Sequence, residues 1–348
     1  MIIDTHIHTR DFNEAEKETI SHALEVAKDS GISAIFAMPN TQPATIDEEM
    51  ILAHQQKVRE ANIPEVLYGV YFGITPDIEQ VKQAVALSRK YHPFIVGGKI
   101  YLGHSTNNLG VIKEEDQYKV LETLASEGYN GVLFAHAEKE SCISPQLWNQ
   151  QTPISHCIVR SEQAELDSVN DLIKIATETK LKAKIHVAHI SSPAAVNLVN
   201  EAKQYLNISC GVTFHHLIYD MNQMLQPNGI LWKMNPPLRQ EGYPNQLLEQ
   251  LRKGEIDWIE TDHAPHTLKG KLEGFASGIP ALPWWPVMST YLHQNNFTEQ
   301  QIEKITYNNA AKRFQLDIPK NHRPIKDRRA DYPFNPFEKL EQAVNWHY

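Results

Sequence analysis

Eight short runs rich in β-branched residues, separated by longer stretches of helical period, constrain this chain more than any other feature. The runs are Met1–Thr5, Ser33–Met38, Val66–Phe72, Phe94–Ile100, Gly131–Ala135, Ala183–Ala188, Asn207–Val212 and Ile256–Thr261. Amphipathic helices are predicted between them, near 14–30, 47–61, 77–91, 115–127, 161–179, 193–205 and 244–253. Two more, near 284–294 and 299–314, follow the eighth run. In the helix over 161–179, Ser161 stands at the N-cap and Val169, Ile173 and Ala176 share one face. Parallel strands need a crossover of a dozen or more residues, and a helix supplies it. Eight such repeats predict an α/β fold, a (β/α)₈ barrel of the TIM type.

Such barrels exceed 200 residues as one unit, so residues 1–316 read as a single barrel domain. After Asp317 the texture changes, with Pro319, Pro324, Pro333 and Pro336 among charges and aromatics. Residues 317–348 are expected to be an extended tail packed on the barrel.

Composition narrows the function. Hydrophobic residues make up 41% of the 348, enough for a large core. Lys and Arg number 33 against 42 Asp and Glu, a net charge of −9, so no basic field draws nucleic acid. There is no run of 18 apolar residues, which argues against a membrane span. The opening Met1–His8 lacks a basic region and cleavage site and reads as an immediate strand. Cys142, Cys157 and Cys210 have no C-x-x-C spacing, so neither a disulfide framework nor a thiolate zinc site is implied and a cytoplasmic location is expected.

Catalytic groups of a (β/α)₈ barrel project from the C-terminal ends of its strands. The first strand ends in Asp4-Thr5-His6-Ile7-His8-Thr9-Arg10, and the i, i+2 spacing puts His6, His8 and Arg10 on one face. Further round lie Lys99, His136 and Glu138, His186 and His189, and then Asp262, His263 and His266. Each has an ordinary reading alone: a core histidine, a lysine reaching solvent, an aspartate capping a turn. Five strand ends that all carry a metal-competent side chain or a lysine point instead to a divalent-metal site. His186, earlier on its strand and out of phase with His189, reads as structural. His215 and His216 read as structural too.

The strings DTHIHTR, AMPNTQP (37–43), GGKIYLG (97–103), FAHAE (134–138), HVAHISS (186–192), NPPLR (235–239) and TDHAPHTL (261–268) resemble the dihydroorotases of the amidohydrolase superfamily. The likeness runs from residue 4 to about 280 and includes the dihydroorotase domain of the animal multifunctional pyrimidine protein. It implies two Zn²⁺ ions bridged by carbamylated Lys99 and a hydroxide. His6, His8 and Asp262 would hold one ion, and His136 and His189 the other. Asp262 would act as general acid and base in the reversible hydrolysis of (S)-dihydroorotate to N-carbamoyl-L-aspartate, a step of pyrimidine biosynthesis. Arg10, Asn40 and His266 would grip the substrate carboxylate, with Tyr101 and Asn235 nearby. The resemblance also leaves room for a homodimer and for association with aspartate transcarbamoylase.

Some features depart from that pattern. The loop Gly278-Ile279-Pro280 runs into Ala281-Leu282-Pro283 where relatives carry Gly and an acidic residue, and Phe214 replaces a proline before His215. Relatives often flank the barrel with a small β-sandwich, whereas this chain is expected to lack a complete one. Two rival readings therefore stay open. A hydantoinase- or dihydropyrimidinase-like enzyme would share the metals without needing the carboxylate clamp. An inactive scaffold for a partner enzyme would have no need of Lys99, both histidines of the HxH pair and Asp262 together.

Overall fold

All eight apolar runs become strands of one parallel sheet, hydrogen-bonded in sequence order. They are β1 (Ile3–Ile7), β2 (Ala34–Ala37), β3 (Leu67–Gly73), β4 (Ile95–Leu102), β5 (Val132–Ala137), β6 (Lys184–Val187), β7 (Ile208–Thr213) and β8 (Trp258–Glu260). The computed structural model describes residues 1–104, 109–318 and 324–346. Pairing begins only where Ile3 meets Ala34, so β1 starts and ends two residues later than expected and takes His6 into the strand. Helices cover the outside, among them Ile20–Asp29, Glu48–Ala61, Ile78–Lys90, Glu114–Ser126, Glu162–Glu178, Pro193–Ala202 and Tyr243–Lys253. Ser161 is the N-cap of its helix as expected, although its side chain makes no capping bond there.

Two hydrophobic layers hold the barrel. Inside it, Ile3, Phe36, Tyr71, Phe134 and Trp258 pack together, with Phe314 against Phe36 at 4.9 Å. Outside, strand residues such as Ile35, Val70, Leu133 and Ile185 pack on the helices. The barrel closes without a full ladder between β8 and β1. Instead the His8 amide donates to the His263 carbonyl at 2.7 Å, and Asp4 accepts from Thr261 N at 3.2 Å and from Trp285 Nε1 at 2.8 Å.

The tail is not wholly extended. Glu338–Val344 forms a helix, and Tyr332, Phe337, Leu340 and Val344 join the outer core. The helix presents Leu340 and Val344 inward, a four-residue spacing on one face. Pro319 lies outside the described residues. No helix of the described residues is long and apolar enough to cross a membrane.

Several ionic contacts fix the tail to the first helix, Arg328 with Glu25 at 2.9 Å and Lys326 with Asp29 at 3.4 Å among them, and one centres on a histidine. His22 sits with Nδ1 2.6 Å from Glu18 and Nε2 3.1 Å from Asp331, which also pairs with Arg328 at 2.9 Å. Both ring nitrogens face carboxylates, and hydrogen bonding to Glu18 raises the His22 pKa from 6.5 to about 9. A raised folded-state pKa stabilises fully below the unfolded value and is lost as pH climbs through the folded one. The stability difference between the parent and His22→Ala, read from urea unfolding, should therefore shrink as pH rises from 6.5 to 9. A difference that stays constant over that range would contradict the contact's ionic character.

Candidate active site

The nine side chains singled out from the sequence line one cavity of about 500 Å³. They are His6, His8, Arg10, Asn40, Lys99, His136, His189, Asp262 and His266, and they share it with Tyr101, Asn235 and the stretch Ala276–Gly278.

His6 and His8 aim their Nε2 atoms at a single oxygen, Asp262 Oδ1, at 3.1 and 2.9 Å. The ligand atoms of these three residues all lie within 4.8 Å of one another. His8 Nδ1 is 2.7 Å from Asn40 Oδ1, so Nδ1 carries the proton and donates. That leaves the lone pair of Nε2 facing a carboxylate oxygen. Burial holds His8 well below the usual histidine range and lowers His6 to about 4, so neither ring readily protonates to relieve the clash. Two electron-rich atoms forced together call for a cation between them.

A second such pair lies across the mouth. His136 Nδ1 and His189 Nε2 face each other at 2.9 Å, and burial lowers both pKa values. The other nitrogen of His136 lies 3.0 Å from Glu138, off the line of a good hydrogen bond. Between the two groups, Lys99 is fully buried and its Nζ finds no hydrogen-bond partner among the described residues. Its Nζ lies over the rings of Tyr101 and Phe134, 4.9 and 5.0 Å from their centroids. Burial pushes its amine down to about 7.

Backbone conformation places two of these groups. His189 and Asp262 take left-handed conformations, φ 36° and 50°, just past the ends of β6 and β8. Such strain in non-glycine residues persists where the surroundings enforce it, often at functional sites. It also breaks the strand alternation, so His186 and His189 both point into the barrel. His186 is excluded from the mouth by depth: it stacks on Trp258 at 3.9 Å and bonds Ser209 Oγ at 2.9 Å.

Sequence reasoning missed Glu260, which organises the floor. One of its oxygens accepts from the His189 amide at 2.5 Å and lies 3.6 Å from His6 Nδ1. The other meets His186, Thr5 and Trp258 at 3.2–3.3 Å. Burial alone would raise its pKa, but His186 and His6 overcome that and hold it ionised. Gly211 makes the room, since a Cβ there would lie 2.8 Å from Glu260 and 2.9 Å from His186. The available signal was a lone carboxylate in an apolar strand. Glu138 was likewise passed over as a partner; Arg160 grips it at 2.6–3.1 Å, and that pair backs His136.

On the opposite wall, Arg10 Nη1 donates to the Asn40 carbonyl at 2.9 Å, while its buried Nε has no partner among the described residues. His266 Nε2 donates to the Ser277 carbonyl at 3.0 Å. Burial, with Arg10 and Lys271 close by, lowers the His266 pKa to about 3.

No family model matches the chain. Among solved structures it resembles the L-hydantoinase (dihydropyrimidinase) of Arthrobacter aurescens, with a TM-score of 0.79 and 20% identity over 90% of this chain and 70% of that one, a likeness of fold. Among curated proteins, the dihydroorotase of Methanosarcina mazei is 28% identical over 328 residues, 91% of this chain and 70% of the relative. The dihydroorotase of Methanosphaera stadtmanae is 32% identical over 327 residues, 90% of this chain and 70% of the relative. At that identity and coverage, the chain belongs to the dihydroorotase family.

Proposed function

We propose that this barrel catalyses the reversible hydrolysis of the cyclic amide of (S)-dihydroorotate to N-carbamoyl-L-aspartate, as a zinc enzyme of cytoplasmic pyrimidine synthesis. The observation that carries the reading is the pairing, in one cavity, of a metal-ready group with a buried cationic wall. His6, His8 and Asp262 would hold one Zn²⁺, His136 and His189 a second, and Lys99, as its carbamate, would bridge them. The orphaned Lys99 amine supports this role, because a carbamate turns one buried nitrogen into an anionic pair of oxygens. When bound, such a pair of ions supplies Lewis acidity, which lowers the pKa of water and polarises a carbonyl.

The chain's own groups do the rest. Asp262, whose pKa is raised by burial, takes a proton from the attacking water and delivers it to the ring nitrogen as the C–N bond breaks. Arg10 offers its unpartnered Nε to the substrate carboxylate. Asn40, whose side-chain oxygen accepts from His8 Nδ1 at 2.7 Å, stands beside Arg10 and would complete that grip. His266 can donate from Nδ1 only as the imidazolium, a form that the approaching anion favours. All nine residues come from one chain, so the reading needs neither a homodimer nor a transcarbamoylase partner.

Two outcomes test these assignments. Metal analysis should find close to two divalent ions per chain, and Lys99→Ala should lose most activity while short carboxylic acids restore part of it. Full activity in a metal-free preparation would contradict the metal assignment. Arg10→Met should lower kcat/KM for dihydroorotate roughly ten- to hundredfold, the worth of one charge-assisted contact of about 1.5–3 kcal/mol. Metal content should stay the same, and any weak turnover of dihydrouracil, which lacks the carboxylate, should hardly change. Equal loss on both substrates would remove the clamp.

A further inference from the structure

Lys271 is buried beneath the cavity wall, and the metal site makes no use of it. It belongs to the short helix Leu268–Leu272. Its Nζ donates to three carbonyl oxygens: Lys233 at 2.9 Å, Ala276 at 2.9 Å and Gly278 at 2.8 Å. Lys233 adds a second ammonium, on the Phe275 carbonyl at 2.7 Å and Ser277 Oγ at 3.0 Å. Ala276, Ser277 and Gly278 line the cavity, and the Ser277 carbonyl is the acceptor that orients His266.

The wall is rigid at its far end too. Gly278 holds φ +132°, a conformation that L side chains rarely adopt, and a Cβ there would lie 2.6 Å from the Ala264 carbonyl. The amides of Ala281 and Leu282 both donate to His263 Nδ1, at 2.9 and 3.0 Å. Its unusual sequence, Gly278-Ile279-Pro280-Ala281, is therefore held in shape by side chains outside it.

Three acceptors at 2.8–2.9 Å match the three N–H groups of an ammonium; a neutral amine has two and would turn its lone pair on the third oxygen. Burial and the neighbouring Lys233 push the other way, toward the neutral form. Among the described residues no carboxylate forms an ion pair with Lys271 or Lys233. A buried charge without a partner is costly unless something supplies the opposite charge. Arg10 and His266 lie on the same side of the cavity, and both Lys271 and Arg10 act electrostatically on His266.

We infer that Lys271 is a positioning residue for anionic substrates: its ammonium frames the Ala276–Gly278 wall, sets His266 through the Ser277 carbonyl, and takes the substrate carboxylate as its missing counter-charge. The inference rests on the dihydroorotase reading and adds to it a group that does not touch the reacting atoms.

Calorimetry on the metal-loaded protein tests it, with orotate, a planar ring carboxylate, against uracil, the same ring without the carboxylate. Lys271→Met should weaken orotate binding by about tenfold, through loss of the three bonds that frame the wall and of the positive charge behind it. Uracil binding and metal content should stay within about twofold, and for dihydroorotate KM should rise by a larger factor than kcat falls. Equal weakening of both ligands, or of neither, would overturn it. If Lys271→Met does not fold, Lys233→Met replaces it; the same selective loss of orotate supports the inference, and unselective or absent loss overturns it. A failure of the dihydroorotase reading itself has a different signature, because the parent protein would then bind orotate no better than uracil.

Discussion

Everything at the mouth depends on closing β8 against β1. Asp262 is 254 residues from His8, yet the two meet at 2.9 Å because the His8 amide bonds the His263 carbonyl and Asp4 clamps both Thr261 and Trp285. Without that seam there would be an open sheet with histidines at one edge and a carboxylate at the other. The seam is mostly polar and fully buried. Its hydrogen bonds fix register in a way that apolar packing, tolerant of small slips, does not.

Below the seam, a layer of side chains turns closure into chemistry. Glu260 joins His6, His186 and the His189 backbone in one anionic floor, with Gly211 leaving space for it. Above that floor the imidazoles are buried and kept neutral, the form that binds metal. The substrate side follows the opposite rule. Arg10, Lys233 and Lys271 are cations that form no ion pair with a carboxylate among the described residues, which suits a cavity that receives an anion. The two halves share one low-dielectric space, so each strengthens the electrostatics of the other.

Much of this was legible in the sequence because strand periodicity and short motifs are local. The eight apolar runs located all eight strands, and the nine side chains named from the motifs all line the cavity, which also takes in Lys17, His104 and Ser277 that the motifs did not name. What stayed hidden is set by contacts between distant segments. Glu260 looks like any carboxylate in a strand until His186, Thr5 and Trp258 are folded onto it. Lys271 carries no signal in the sequence, and only the chain at 233 and 276–278 makes it a buried hub. His189 lines the cavity, but strand alternation could not foresee the left-handed turn that swings it inward. The tail's prolines masked the helix Glu338–Val344, which forms because Leu340 and Val344 find the outer core.

The most direct measurement of what this barrel does is a side-by-side assay of dihydroorotate, dihydrouracil and hydantoin on one metal-quantified preparation. A dihydroorotase with this cationic wall turns over dihydroorotate with a kcat/KM at least roughly a hundredfold above the two uncharged rings, and closes N-carbamoyl-L-aspartate in reverse. Preference for hydantoin or dihydrouracil, or equal rates on all three, would contradict it.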